Sequence, residues 1–308
     1  MSISLIPSTL PAVLSPVLTP FKADSTPDAQ KLLKQCKWLE ANGVGQAIFG
    51  TNSEANSMSA TQKMNTLTAL IEGGLNPEHM MPGTGSTSVE STYRMTAHAL
   101  SHKCAGVLML PPFYYKDITD DGLFAYFSEV IQRMGNSALQ IYIYNIPPVT
   151  KINLSLSLLE RLIKEYPKTV IGMKDSSGDW EYTESVIKLL ASTGFRVYAG
   201  SETFLLRTLR AGGVGCISAT ANVNPKAIAD VATHWRESNA DERQADLDRV
   251  RSIFAKYQMI AGMKTAVAHF SKDPEWLRVR PPLMQLTADQ QAKLLSELKA
   301  ANFSMPGL

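Results

Sequence analysis

No run of apolar residues in this chain reaches the ~18 that a membrane-spanning helix requires, and prolines 7, 11, 16 and 20 break up its apolar N-terminus. With no basic residue before Lys22, neither a signal peptide nor a membrane anchor is expected. Cysteine is scarce: Cys36, Cys104 and Cys216 lie far apart without a CxxC pair, which excludes a disulfide scaffold or zinc ribbon and fits a reducing cytoplasm. The HExxH, GxSxG and GxxxxGK[ST] signatures are missing, and with them the usual marks of a zinc protease, a serine hydrolase and a phosphate loop. His98 and His102 alone share a helix face, whereas zinc takes three or four ligands, so no metal site is expected. Nor is there an excess of either charge. The net charge is +2 with no basic arm, which argues against nucleic acid or an anionic membrane surface as a partner.

What is present is an ordinary globular composition, 44% apolar and 19% charged over 308 residues, enough for one large core. Short apolar runs recur at Ala12–Thr19, Gln46–Gly50, Met80–Gly83, Ala105–Leu110, Leu139–Tyr144, Thr169–Lys174, Arg196–Ala199 and Val214–Ser218. Each is followed by a segment of helical period, at the spacing of βα units. The runs are continuous rather than alternating, as strands covered on both faces should be. The pattern predicts an α/β fold, a (β/α)8 TIM barrel over residues 1–224. An open doubly wound sheet is the competing architecture, but GTGSTS at Gly83–Ser88 lacks the third glycine of a dinucleotide loop. After Pro225 the strands stop. Ala227–Trp235, Leu247–Tyr257, Met263–Phe270 and Ala288–Ala300 read as amphipathic helices, so residues 225–308 are expected to be a helical extension of the same structural unit.

The chemistry of a barrel sits at the C-terminal ends of its strands. There the sequence places Thr51, Tyr144 and Lys174, with Tyr114 and Tyr115 in the loop after the fourth run. An ammonium group buried among apolar residues is disfavoured against its neutral amine, the nucleophile that a Schiff base needs. The resulting iminium withdraws electrons from a neighbouring carbon–carbon bond, so no cofactor is required. A phenol within hydrogen-bond reach can carry the protons, and the backbone around Thr51 and Asn52 can hold a carboxylate. Each residue also has a plainer reading. Lys174 reads equally as a lysine with a buried stem and a head in water, Tyr144 with Tyr142 as barrel filling, Thr51 as a helix cap, and Tyr114 with Tyr115 as a surface pair.

Seven segments in order resemble one family: PVLTPF from Pro16, GTNSE from Gly50, PPFYYK from Pro111, YNIP from Tyr144, GMKDSSG from Gly172, AGSE from Ala199 and GCISATANVNP from Gly215. They resemble the class I, lysine-dependent aldolases and lyases of the dihydrodipicolinate synthase and N-acetylneuraminate lyase group. The resemblance implies Lys174 as the Schiff-base lysine, Tyr144 as the proton relay, and Thr51 as its link to a second tyrosine, matched by Tyr115. That tyrosine is donated across a subunit interface in the family, which implies a homo-oligomer, commonly a dimer of dimers. Asn52 matches the carboxylate-holding position, Gly200 and Ile217 line the pyruvyl pocket, and Glu202 faces the hydroxyls of a substrate tail.

Two residues depart from the family pattern. Ser53 stands where glycine is usual, which predicts an altered backbone in the carboxylate loop. Val149 stands where the lysine-pathway synthases carry an arginine for the carboxylate of the aldehyde, a contact valine cannot make. Lys151, two residues on, is the nearest substitute. The expected function is therefore a pyruvate-dependent aldolase acting on a 2-keto-3-deoxy sugar acid or another 4-hydroxy-2-oxo acid, with pyruvate and an aldehyde as its small molecules. The alternatives are 4-hydroxy-tetrahydrodipicolinate synthase activity, a Schiff-base dehydratase of deoxy-keto sugar acids, and a non-catalytic 2-oxo acid binding protein.

Overall fold

A computed structural model describes residues 9–308. Residues 1–8, on which part of the signal-peptide expectation falls, lie outside the described residues. Seven strands occur among those described: β1 (Val13–Ser15), β2 (Gly45–Gln46), β3 (Val107–Met109), β4 (Ile141–Asn145), β5 (Val170–Asp175), β6 (Arg196–Ala199) and β7 (Gly215–Ile217). The chain divides into two compact units, one built on residues 76–217 and the other on residues 11–75 and 218–308.

In the first unit β3 to β7 run parallel in the order β7-β6-β5-β4-β3. Every residue of β4 and β5 is buried, the physical reason their sequences are unbroken apolar runs rather than alternating ones. The helices between the strands bury one stripe each. In Leu156–Glu165 that stripe is Leu158, Leu159, Leu162 and Ile163, and the helix starts where Ser155 accepts the Leu158 N–H. The strand expected at Met80–Gly83 is reduced to a single parallel bridge, Gly83 to Leu108. Leu108 N donates to the Pro82 carbonyl at 2.9 Å and Thr84 N to the Leu108 carbonyl at 3.0 Å. Pro82 has no N–H with which to extend that ladder.

In the second unit β1 pairs in parallel with β2. Asp28 caps the helix Ala29–Ala41, and the four terminal helices are Pro225–His234, Ala240–Ala255, Met259–Ser271 and Ala288–Ala300.

One glycine in the first unit is dictated by packing. Gly172 of β5 lies opposite Tyr142 of β4 and Arg196 of β6. A Cβ at this position would lie 2.5 Å from the Arg196 carbonyl oxygen and 2.6 Å from Tyr142 Cδ1. Gly172→Ala is therefore expected to destabilise the protein by about 1–3 kcal/mol, the usual result of overfilling a packed core. Chemical denaturation checks this as a lower midpoint at an unchanged slope.

Candidate active site

Strand register brings the two central residues together. Tyr144 of β4 lies opposite Lys174 of β5, and parallel strands direct paired side chains to one face. Both are buried, at 3% and 2% exposure. Lys174 Nζ donates to Tyr144 Oη at 3.3 Å and lies 4.4 Å from the centre of its ring. A lysine whose head reached water would not be enclosed in this way. Tyr198 of β6 continues the row opposite Lys174. Burial holds its phenol well above the ordinary range, so it stays protonated. Two residues earlier on these strands, Arg196 donates to Tyr142 Oη at 3.3 Å, and the Tyr142 and Tyr198 rings meet edge to face at 5.9 Å. Tyr142 thus fills the layer in front of Gly172, while Tyr144 faces the amine.

The turn after Lys174 is pinned by its neighbour. The Asp175 carboxylate accepts hydrogen bonds from Asn145 Nδ2 at 2.8 Å, Ser177 N at 3.1 Å, Ser177 Oγ at 2.8 Å and the Thr183 hydroxyl. Burial pushes this carboxyl above the usual carboxylate range, against the pull of those bonds. The sequence signals this anchoring role of Asp175 only by a hydroxyl-rich stretch directly after an apolar strand. Gly200 N donates to the Asp175 carbonyl at 2.6 Å, and a Cβ on Gly200 would meet Ser176 Oγ at 2.0 Å. Gly200 is thus placed against the end of β5. Glu202, 1% exposed, opens the turn Glu202–Phe204 after β6, and Ile217, fully buried, ends β7.

Other expected residues lie on exposed segments or in the second unit. Val149 is 57% exposed in the short helix Pro147–Thr150, and Tyr114 and Tyr115 are each 72% exposed with their rings edge to face at 5.3 Å. Lys116 Nζ donates to the Thr150 carbonyl at 3.0 Å and so ties the tyrosine loop to the segment that carries Val149. Thr51 and Asn52 belong to the second unit, in the 3₁₀ turn Thr51–Ser53. In that turn Ser53 Oγ accepts the Gly50 N–H at 3.2 Å and the Ser53 carbonyl accepts the Thr19 hydroxyl at 2.8 Å. The left-handed residue is Glu54, at φ 56°, not Ser53. A side chain at position 53 is therefore accommodated without strain, and its hydroxyl closes the turn.

Comparison with known proteins gives the family and the fold. The profile of the Dihydrodipicolinate synthetase family matches residues 9–301. A DapA-like lyase of Chloroflexus aurantiacus, described as uncharacterized, is 29% identical over 287 residues, 92% of this chain and 94% of its own. The crystal structure of dihydrodipicolinate synthase from Agrobacterium tumefaciens is 29% identical, with a TM-score of 0.87 over 94% of this chain and 99% of that one. The fold is also that of YagE from E. coli, a dihydrodipicolinic acid synthase family protein solved in complex with pyruvate. That likeness has 23% identity and a TM-score of 0.86 over 95% of this chain and 99% of the other. Parallel strands alternating with helices are thus part of a barrel-like α/β fold shared along almost the full length, and the chain belongs to the dihydrodipicolinate synthetase family.

Proposed function

We propose that this protein is a pyruvate-dependent class I aldolase, a carbon–carbon lyase that works through a Schiff base on Lys174. The observation that carries the reading is the buried amine of Lys174 held 3.3 Å from the phenol oxygen of Tyr144 at adjacent strand ends. In the cleavage direction the neutral amine attacks the 2-oxo carbon of a 4-hydroxy-2-oxo acid. Loss of water from the carbinolamine leaves an iminium. The C3–C4 bond then breaks, its electron pair moves into the iminium to give an enamine, and the C4 hydroxyl proton passes to Tyr144 as the aldehyde forms. Protonation of the enamine at C3 and hydrolysis release pyruvate and restore the amine.

In this reading Thr51 and a neighbouring copy's Tyr115 continue the proton relay, and Asn52 holds the carboxylate. Gly200 and Ile217 line the pyruvyl pocket, and Glu202 and Val149 face the substrate tail. A dimer of dimers in the cytoplasm belongs to the same reading, and the exposure of Tyr115 supports an interface at its loop. The reading also includes a complete (β/α)8 barrel over residues 1–224 with residues 225–308 as its helical extension.

A panel of 4-hydroxy-2-oxo acids, including 2-keto-3-deoxy sugar acids, tests the function by pyruvate release. Turnover of at least one member is expected, and silence across the panel would overturn the aldolase. The family relatives named as dihydrodipicolinate synthases favour a second reading, synthesis from pyruvate and aspartate semialdehyde. Exposed, uncharged Val149 counts against it. A coupled assay with those two substrates is expected to give at most a trace, and efficient turnover would establish the synthase instead. Release of water without pyruvate from the same panel would mark a dehydratase.

A further inference from the structure

The Thr51–Ser53 turn is held from behind by a buried charge network that the reaction does not use. Glu54, next in sequence, forms an ion pair with Lys264 in which both side chains are fully buried. The second carboxylate oxygen of Glu54 accepts the Arg280 backbone N–H at 2.7 Å, and Lys264 Nζ also donates to the Arg278 carbonyl at 2.6 Å. The Arg280 guanidinium reaches past Glu54 to the Ser57 carbonyl at 2.5 Å and Gln62 Oε1 at 3.0 Å. Both cations stand over the Phe21 ring, Lys264 Nζ at 4.5 Å and Arg280 Cζ at 4.6 Å from its centre. Burial pushes the Lys264 ammonium down to about 8, against the pull of the Glu54 carboxylate. Glu54 itself sits at φ 56°, a conformation that a residue other than glycine keeps only when its surroundings impose it.

We propose that Glu54, Lys264 and Arg280 are positioning residues that fix the Thr51–Ser53 turn for its grip on the substrate carboxylate. The inference rests on the reading that Thr51 and Asn52 hold that carboxylate. A buried carboxylate with two fixed donors cannot swing, so the turn that begins three residues earlier is locked at its C-terminal end by the helix Met259–Ser271 and the segment 278–280. The network touches no reacting atom. Its loss should therefore weaken the binding of the 2-oxo acid and leave the bond-making step at saturation nearly unaltered.

The test uses the full chain in two variants. The neutral double variant Glu54→Gln with Lys264→Met avoids the uncompensated buried charge that a single substitution leaves, and Arg280→Lys is the milder change at a half-exposed site. Half-saturation of the borohydride-trapped Lys174 adduct by pyruvate is expected to rise about tenfold in the double variant, the equivalent of ~1.4 kcal/mol. The rise should be smaller in Arg280→Lys, with the saturated yield retained in both. Hydrogen exchange of the amides of residues 50–57 should speed up in both variants, while that of β5 stays protected. A folded variant with wild-type half-saturation and wild-type exchange over residues 50–57 would overturn the proposal. If the double variant does not fold, Arg280→Lys decides alone by the same two readouts. Should wild-type protein form no adduct at all, the aldolase reading fails, and the exchange measurement still judges the network by itself.

Discussion

Replacing Lys174 by methionine is expected to lower kcat for pyruvate release by roughly 10⁴- to 10⁶-fold, the scale seen when a covalent nucleophile is removed. Methionine keeps the volume of a side chain that is 2% exposed and removes only the nitrogen, so the loss should be chemical and not a failure to fold. Thermal unfolding of the variant should match or exceed that of the wild type, because a buried polar nitrogen is replaced by an apolar side chain of similar volume. Arginine at this position should be equally inactive, since a guanidinium does not deprotonate and cannot attack a carbonyl. Steady-state assay of purified variants on the best member of the substrate panel checks both. Activity within tenfold of the wild type in either would mean that the 2-oxo acid is not activated at Lys174.

Tyr144→Phe is expected to reduce kcat by about 10²- to 10⁴-fold, the usual contribution of a positioned proton carrier. The ring that lies 4.4 Å from Lys174 Nζ is kept and only the oxygen at 3.3 Å is lost. The amine therefore remains in place and should still form its pyruvate adduct, more slowly. A variant that traps pyruvate to full yield and fails to cleave substrate would separate covalent capture from proton transfer. A kcat within threefold of the wild type would assign Tyr144 to barrel filling, the role Tyr142 already plays against Gly172. The effects of Lys174→Met and Tyr144→Phe should not add, because both residues serve one covalent sequence.

Much of this site was legible because its parts are local. β5 announces itself as an unbroken apolar run, and a lysine at its end followed by a turn is visible in ten residues. The register that sets Tyr144 beside Lys174 follows from two such strands lying in parallel. Met80–Gly83 looked like the same kind of run, yet Pro82 confines it to one bridge, an effect of a single missing N–H. Ser53 was expected to alter the carboxylate loop; the left-handed backbone lies one residue later, so the substitution is accommodated. Lys264 was invisible as anything but a residue of an amphipathic helix, since the carboxylate that explains its burial is 210 positions away. No periodicity reports a contact of that length. Tyr115 is legible only through family resemblance, as its proposed role lies in another copy of the chain.

The proposed reaction turns on a covalent bond between one nitrogen and a keto carbon. Incubating the purified protein with pyruvate, reducing with borohydride and mapping the peptides by mass spectrometry measures it directly. A reduced pyruvyl adduct is expected on the peptide that carries Lys174, and none when Lys174→Met is treated in the same way. An adduct on a different lysine would contradict the assignment to Lys174, and no adduct while pyruvate still protects the protein against thermal unfolding would leave a protein that only binds 2-oxo acids.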